Sequence, residues 1–493
     1  MDPQAVAVFK QDVAVYPERP PFHPPAIYPE LGHLTETNHQ NSVYTSVRNL
    51  FHLLGYDHEH DGSPGWNPLG WLIKPGDTVF LKPNMIAHKH ALNNDWDYVI
   101  THGSVIRATV DYVYLALRGK GKIIIGDGPQ SDSHFEKIRT LLGLDAIRDL
   151  YAGKTGVEVD LLDLRDEHYV EKDGIYVDTV RLPGDPRGRT AVDLGTHSMF
   201  SELDGQGKRY YGAFYDWKET NAHHHTGKHE YAISRTPLSA DVVINLPKLK
   251  THKKCGLTVN IKSMVGINAN KNWLPHYIFG SPENGGDQFD HATVRNRLEN
   301  AVVMPAKTLL TKKVPLFRSF ARKTKKVGYD VFGGTEEVVR SGNWHGNDTV
   351  WRMSIDLNRI LLYANTDGSL RTGGAAKRFF SIVDGITAME GNGPVAGTRR
   401  EAGVLIAGMD PVAVDAVCAT LMGYECRKLP LIHRAFEPHQ FPLTRGSLGA
   451  IRPISNMTCW NRPLRDWRNA DLLHFEPHFG WVGTIEREDP TEP

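Results

Sequence analysis

The 493-residue chain has few cysteines, no long apolar run and no net charge. Its four cysteines include no CxxC pair, so they fit neither a disulfide framework nor the pattern that holds an iron–sulfur cluster. Nowhere do about 18 apolar residues follow one another, as a membrane-spanning helix requires. The first twenty residues also lack the apolar stretch of a signal peptide. We therefore expect a cytoplasmic protein with no transmembrane segment and no iron–sulfur cluster.

The chain also has no excess of either charge, since 57 Lys and Arg residues match 57 Asp and Glu residues. No global field draws such a chain to nucleic acid, so we expect no nucleic-acid partner, and any preference for anions has to be local. Three fingerprints are absent as well: the GxGxxG dinucleotide loop, the GxxxxGK[ST] phosphate loop and the GxSxG nucleophile elbow. Their absence excludes the α/β-hydrolase class and nucleotide binding through those loops, whereas nucleotide binding by other means stays open.

Hydrophobic residues make up 40% of the chain, enough for a large core, and their pattern from residue 77 onward predicts alternating strands and helices. Residues 77–83 are typical of a buried strand, residues 104–119 carry helical spacing, and residues 122–126 contain three consecutive isoleucines. This order describes a βαβ unit. We predict an α/β fold with a mostly parallel sheet covered by helices, irregular insertions and an aromatic C-terminal tail.

Changes in composition divide the chain into five segments. They are an irregular N-terminal lead-in at 1–75, the first half of the α/β core at 76–270 with an insertion at 165–235, an irregular basic insertion at 271–345, the second half of the core at 346–440, and a tail at 441–493. No repeat of fixed period is found, and the sequence does not predict an oligomeric state.

Polar residues follow the predicted strands at the point where each strand ends. In an open parallel sheet, ligands bind in the crevice beyond the carboxyl ends of the strands. The residues at these ends are Lys82 and Asn84, Asp127, the group Lys248, Lys250 and His252, and Asp384. Each of them alone is explained equally well by a turn, a helix cap or a solvated surface. Together they predict a common pocket.

The segment from residue 247 to 266 concentrates positive charge. Lys248, Lys250 and His252 alternate along an extended chain and so share one face, and Lys262 follows in the same segment. Such a face favours phosphate or carboxylate, and we expect Lys82, Asn84, Lys248, Lys250, His252 and Lys262 to bind substrate. The alternative is a solvated basic loop.

Carboxylates and one histidine are candidates for catalysis. Asp127 and Asp384 can move protons or bind a divalent cation, and His102 precedes a helix start, where an imidazole can assist. Asp410 is a further candidate ligand, so a divalent metal held by Asp127, Asp384 and Asp410 is expected. The simpler explanation of Asp410 is a helix cap, because Pro411 follows it.

A basic stretch at residues 307–326 interleaves Lys and Arg with Leu and Phe. This composition allows contact with an anionic membrane surface, although a docking helix with a solvated face explains it as well.

Several longer motifs are similar to domain-of-unknown-function family 362. The resemblance covers residues 77–425 and rests on KPN, GDGP, DVVINLPKLKTH, NIKSMVG and GMDPVAVDAVCATLMG. WHGNDTVWR and DGITAMEGNGP resemble a subgroup associated with bacterial biosynthetic loci. Many members carry a ferredoxin-like cysteine cluster and are described as iron–sulfur-centre proteins, but these four cysteines do not form one. The resemblance implies a domain and no established reaction.

These observations favour an enzyme that acts on an anionic, phosphate- or carboxylate-bearing small molecule in a bacterial biosynthetic pathway, by metal-assisted group transfer or ligation. Two alternatives stay open. One is a non-catalytic binding or accessory protein for an anionic metabolite or metal, and the other is an iron–sulfur-linked redox protein. The leading interpretation requires that Lys248, Lys250, Asp127 and Asp384 surround one pocket.

Overall fold

The computed structural model describes residues 1–32, 34–153, 156–172, 175–212, 216–301, 337–371 and 376–488. The basic stretch at 307–326, proposed to contact a membrane, lies outside these described residues. The strands of the described part are β1 Ala5–Lys10, β2 Thr78–Pro83, β3 Gly121–Asp127, β4 Val157–Asp163, β5 Glu167–Lys172, β6 Ile175–Arg181, β7 Arg189–Asp193, β8 Tyr210–Gly212, β9 His224–His225, β10 Lys228–Ser234, β11 Val242–Leu246, β12 Lys248–His252, β13 Gly256–Thr258, β14 Pro275–Ile278, β15 Arg378–Glu390, β16 Thr398–Gly408 and β17 Arg452–Ser455.

The α-helices of the described part lie between and after these strands. They are α1 Ser42–Leu53, α2 Gly103–Leu117, α3 Phe135–Leu141, α4 Leu144–Asp149, α5 Trp217–His223, α6 Arg235–Ser239, α7 Asn260–Ser263, α8 Val350–Tyr363, α9 Pro411–Leu421 and α10 Pro430–His433. Within the described ranges, no helix is long and apolar enough to cross a membrane. The cytoplasmic location stays a prediction.

One large sheet organises the molecule. Its strand order is β17-β1-β16-β15-β11-β2-β3-β4, with β12 beside β15 and β13 beside β12. Strands β15, β11, β2, β3 and β4 are parallel neighbours, whereas β16 runs antiparallel to both β1 and β15. The predicted α/β fold with a mostly parallel sheet is therefore confirmed.

The sheet is buried on both faces, and the three isoleucines of β3 show why this strand forms there. Ile123 and Ile125 belong to the apolar cluster that contains α1 and α2, whereas Ile124 belongs to the cluster on the other face with α8 and α9. Side chains alternate across a strand, so a run of β-branched residues supplies both layers. Full burial of each such side chain contributes about 1.5–3 kcal/mol.

Both ends of the chain enter this sheet. The lead-in was expected to be irregular, yet β1 pairs with β16, and the tail contributes β17, which runs parallel to β1. The four consecutive apolar residues at 5–8 of β1 are buried. Smaller sheets, formed by β5 with β6 and by β7, β10 and β9, occupy the segment at 165–235.

Candidate functional site

A cavity of about 370 Å³ opens at the carboxyl ends of the parallel strands. This edge is where the sequence places its polar residues, because β2 ends at Pro83 and β3 ends at Asp127. The predicted site residues that line the cavity are Lys82, Asn84, Asp127, Lys250, His252 and Lys262. Six of the ten predicted residues therefore lie around one space.

Further cations line the same cavity. Lys253 and Lys254 lie within the lysine-rich segment at 247–266 that the sequence singles out. Lys271 and His276 come from the segment expected to be an irregular insertion, where nothing in the sequence marks them as site residues. Among the described lining residues there are thus six lysines, whereas Asp127 supplies the one carboxylate.

Asp127 is held by a dense set of donors. Lys82 Nζ lies 2.9 Å from Asp127 Oδ1, the amide of Gly128 donates to the same oxygen, and the amide of Met85 donates to Oδ2 at 2.8 Å. Lys82 also donates to the hydroxyl of Ser263 at 3.0 Å. Both partners of this ion pair are buried. The ion pair fixes Lys82 at the cavity wall. Both carboxylate oxygens of Asp127 already accept hydrogen bonds from groups of the protein.

Gly266 is required by this ion pair. A Cβ atom at position 266 would overlap Oδ1 of Asp127 and would approach Lys82 Nζ to 3.0 Å. We expect Gly266→Ala to displace the pair and to lower the free energy of unfolding by about 1–3 kcal/mol, as overpacking does. Chemical denaturation measures this loss. Gly449→Ala is a suitable control, because no atom lies within 4 Å of its added methyl group, and equal stability losses in both variants would contradict the account.

Lys250 and Lys271 donate to main-chain carbonyl groups. Lys250 Nζ donates to the carbonyls of Val99 and Pro394, at 2.7 and 3.2 Å. Lys271 Nζ donates to three carbonyls at 3.0–3.3 Å, including that of Gly128. Burial lowers the pKa of Lys250 far below that of a free lysine, and it lowers the pKa of Lys271 to about 7. The carbonyl dipoles orient these two amines. No carboxylate is among their described hydrogen-bond partners to neutralise their charge.

Lys262 is a further cation of the cavity wall. It is carried by α7 and is 9% exposed, and among the described residues no group accepts a hydrogen bond from its Nζ. Burial is the main cause of its lowered pKa, and the charge of Lys82 adds to it. After burial, the charge of Lys262 is the largest further cause that lowers the pKa of His252. The free ammonium group of Lys262 thus faces a space that other cations share.

Three predicted site residues lie apart from this cavity, in a sealed cluster. Lys248 Nζ lies 3.0 Å from Asp384 Oδ2 and donates to the hydroxyl of Tyr16 at 2.7 Å. The amide of His102 also donates to Asp384 Oδ2, at 2.9 Å, and the rings of Tyr16 and His102 stack with centroids 4.0 Å apart. Lys248 and Asp384 are fully buried. The expectation that these residues share the pocket with Lys250 and Asp127 is corrected here.

The separation of Lys248 from Lys250 has a structural cause. Residues two apart on a regular strand share a face, but β12 pairs with β15 across an irregularity. Lys248 is aligned with Asp384, and Lys250 is aligned with Met389. The register therefore shifts between the two lysines, so that one reaches the sealed cluster and the other reaches the cavity.

The predicted metal ligands do not converge. Asp127 is paired with Lys82 and Asp384 with Lys248, while Asp410 accepts hydrogen bonds from the amides of Val412 and Ala413 as the cap of α9. Within the described ranges, no group of three or more His, Cys, Asp or Glu side chains is arranged to hold a metal. These carboxylates do not fit the expected divalent-metal site, because each is already used by protein donors.

Asp415 explains how Lys262 is positioned. This fully buried carboxylate accepts hydrogen bonds from the amides of Asn260 and Ile261, at 2.8 and 3.0 Å. Burial raises the pKa of Asp415 to about 7. It therefore stabilises the start of α7, two residues before Lys262. Asp415 is not among the described residues that line the cavity, and it joins no metal cluster of the described residues.

A family model matches most of the chain. The model, described as a domain of unknown function (DUF362), matches residues 79–192 and 188–420. The matched region contains the cavity lysines and Asp127, as well as the sealed cluster around Asp384.

The chain is also similar to a curated relative and to a solved structure. A thylakoid-associated protein of Synechocystis sp. is 23% identical over 389 residues, which cover 79% of this chain and 73% of the relative. A crystal structure of a protein from Thermotoga maritima matches with a TM-score of 0.29 and 11% identity. That match covers 70% of this chain, and the chain spans about half, 54%, of the Thermotoga protein.

Proposed function

The chain belongs to the DUF362 family, a domain of unknown function, and on that premise we propose that its cavity binds the phosphate or carboxylate group of a small molecule on which the protein acts as an enzyme. The observation that supports this proposal is that three lysines of the cavity wall, Lys250, Lys262 and Lys271, have no carboxylate among their described hydrogen-bond partners, whereas Asp127 is the one carboxylate among the described lining residues. That carboxylate is already paired with Lys82. A buried cation without a counterion is costly, so an anionic ligand would supply the missing partner.

Group transfer is the reaction class that this cavity supports best. Ammonium groups that are fixed before the reaction stabilise negative charge as it develops on a transferred phosphoryl or acyl group. A lysine whose pKa lies near 7, such as Lys271, is also able to give or take a proton at neutral pH. No step of this proposal requires a metal.

The alternative is a carrier that holds an anionic metabolite and delivers it unchanged. Native mass spectrometry of the purified protein distinguishes the two functions, because a retained anion is identified by its mass. Incubation of the protein with the identified compound then decides the matter. An enzyme changes the mass of the compound, whereas a carrier returns it unaltered.

Affinity for a simple phosphate monoester tests the binding proposal. We expect glycerol 3-phosphate to raise the melting temperature of the protein in a concentration-dependent way, because a ligand that binds the folded state stabilises it. Lys262→Met is expected to lose this shift. The matched control is Lys120→Met, which changes an exposed lysine outside the cavity. Equal shifts in the wild type and in Lys262→Met would contradict binding at this site.

The pH dependence of binding follows from the cavity amines. Burial lowers the pKa of Lys271 to about 7, Arg165 and Lys82 lower it as well, and Asp127 and Asp163 act in the opposite direction. Above this pKa the amine of the free protein is neutral, while a bound anion favours the ammonium form, so binding takes up a proton.

We therefore expect affinity for glycerol 3-phosphate to fall as the pH rises from 7.5 to 9.5, by up to about tenfold per pH unit for each proton taken up. The ligand keeps its charge over this range, because the second pKa of a phosphate monoester is about 6. Isothermal titration calorimetry measures the affinity. An affinity that stays constant or rises over this range would contradict proton uptake by the lysines.

A further inference from the structure

Two histidines of the cavity wall each have one ring nitrogen that is held by the protein. His252 ends β12, His276 lies in β14, and both line the cavity. Lys254 connects them, because its main-chain amide donates to Nδ1 of His252 at 3.1 Å and its Nζ donates to the main-chain carbonyl of His276 at 3.4 Å. The two residues therefore lie on neighbouring parts of the wall.

The hydrogen bonds at Nδ1 determine which nitrogen of each ring carries the proton. An amide N–H only donates, so Nδ1 of His252 is an acceptor without a hydrogen. A carbonyl oxygen only accepts, so Nδ1 of His276, 2.8 Å from the carbonyl oxygen of Leu274, carries a hydrogen. A neutral imidazole has one such hydrogen. In the neutral rings, Nε2 of His252 is therefore a donor, whereas Nε2 of His276 has a free lone pair.

Both rings are neutral at pH 7 and reach the cavity through Nε2. Burial is the main cause that lowers the pKa of His252 and of His276 well below the ordinary value, and the charges of neighbouring lysines lower it further. Neither Nε2 atom has a hydrogen-bond partner among the described residues, and neither belongs to the described polar atoms that are sealed from solvent without a partner. The cavity thus presents one neutral donor and one neutral acceptor.

The acceptor at His276 restricts the ligand. An ionised phosphate or carboxylate offers only lone pairs, so it cannot donate a hydrogen bond to Nε2 of His276. A ligand ammonium group is disfavoured, because Lys250, Lys262 and Lys271 line the same cavity and like charges repel. A hydroxyl group has one hydrogen and two lone pairs, so it is able to donate to His276 and to accept from His252.

We propose that the anionic ligand also carries a hydroxyl group, which donates a hydrogen bond to Nε2 of His276 and accepts one from Nε2 of His252. This inference rests on the proposed function, since the hydroxyl group belongs to the anion that binds in the same cavity. It names the ligand class more closely, as a hydroxylated phosphate or carboxylate such as a polyol phosphate or a hydroxy acid.

Calorimetry with ligands that differ only in their hydroxyl groups tests the inference on the full-length protein. We expect glycerol 3-phosphate to bind at least tenfold more tightly than n-propyl phosphate at pH 7.5, because a site built around a hydroxyl group rejects the analogue that lacks it. The apolar side chains of Ile86, Leu274 and Val395 in the wall favour the propyl chain, so the hydrophobic effect acts against this preference. Glycerate and propionate make the same comparison for a carboxylate ligand.

Two substitutions of His276 separate the acceptor from the rest of the ring. The amide group of asparagine ends at the level of Nδ1 and is able to keep the donation to Leu274, whereas that of glutamine ends at the level of Nε2 and offers an oxygen acceptor there. We expect His276→Asn to bind glycerol 3-phosphate and n-propyl phosphate equally and His276→Gln to keep a preference of about threefold or more. The control is His39→Asn, at an exposed histidine outside the cavity, with the preference of the wild type.

Diethyl pyrocarbonate tests the two tautomers in the wild-type protein, without any substitution. The reagent bonds to the ring nitrogen that has a free lone pair, which is Nε2 in His276, whereas the lone pair of His252 is hydrogen-bonded at Nδ1. Peptide mapping by mass spectrometry is expected to show ethoxycarbonylation of His276, slowed by glycerol 3-phosphate, while His252 stays unmodified. An unreactive His276, or a faster reaction at His252, would overturn the inference.

The outcomes also separate this inference from the proposed function. If glycerol 3-phosphate and n-propyl phosphate bind equally well to the wild type and both depend on Lys262, the hydroxyl inference fails while anion binding in the cavity stands. A preference that persists in His276→Asn overturns His276 as the acceptor. If none of the four ligands binds, or if they bind equally well to Lys262→Met, both proposals fail.

Discussion

Replacing Lys262 by methionine is expected to raise the melting temperature of the ligand-free protein and to abolish its stabilisation by phosphate ligands. Lys262 is 9% exposed as a whole residue, and its ammonium group has no described hydrogen-bond acceptor, so the partial desolvation of its charge is not compensated within the described residues. Methionine keeps the length of the side chain and removes the charge. We expect a gain of about 1–2 kcal/mol in the free energy of unfolding, in the range seen when binding sites are relieved of strain.

Differential scanning calorimetry of the wild type, Lys262→Met and Lys120→Met measures this gain with and without ligand. The exposed Lys120 is expected to change stability by less than about 0.5 kcal/mol, as surface substitutions do. A Lys262→Met protein that is less stable than the wild type without ligand would show that Lys262 supports the fold. Its assignment as an anion contact would then lose its main argument.

The second large effect concerns Asp384. Replacing it by asparagine removes the counterion of Lys248 and the acceptor for Tyr16 and the amide of His102. Breaking a fully buried ion pair from one side leaves a charge without a partner and costs about 3–5 kcal/mol. We therefore expect Asp384→Asn to lower the free energy of unfolding by that amount, as measured by denaturant titration.

A double-mutant cycle isolates the pair. Removing the stranded cation as well, in the Lys248→Met and Asp384→Asn double variant, is expected to recover part of the loss, because the two side chains contact each other directly. If Asp384→Asn instead keeps the stability and the ligand affinity of the wild type but loses turnover, the structural role proposed here is wrong. That result would support the catalytic role that the sequence predicts for Asp384.

The sequence predicts the sheet well because the rules that govern strands are local. Three consecutive isoleucines in β3 are sufficient to indicate a strand that is buried on both faces, and the polar residues after the strands lie at one edge as expected. Lys82, Asp127 and Lys250 were found in this way, and the structure places all three at the cavity.

The errors in the predicted site come from contacts between distant segments. The period of two placed Lys248 beside Lys250, but the irregular pairing of β12 with β15 separates them. Tyr16 completes the sealed cluster from a distance of 368 residues along the chain, which no local pattern indicates. Lys271 was missed for the same reason, because its burial depends on carbonyl groups that include that of Gly128.

A crystal structure of the protein soaked in tungstate tests the central claim most directly, because the anomalous signal of tungsten locates a phosphate-like oxyanion without ambiguity. The account predicts a tungstate peak inside the cavity, within hydrogen-bond distance of Lys262 Nζ and Lys250 Nζ. Tungstate peaks confined to the outer surface, with the cavity empty at saturating concentration, would contradict it.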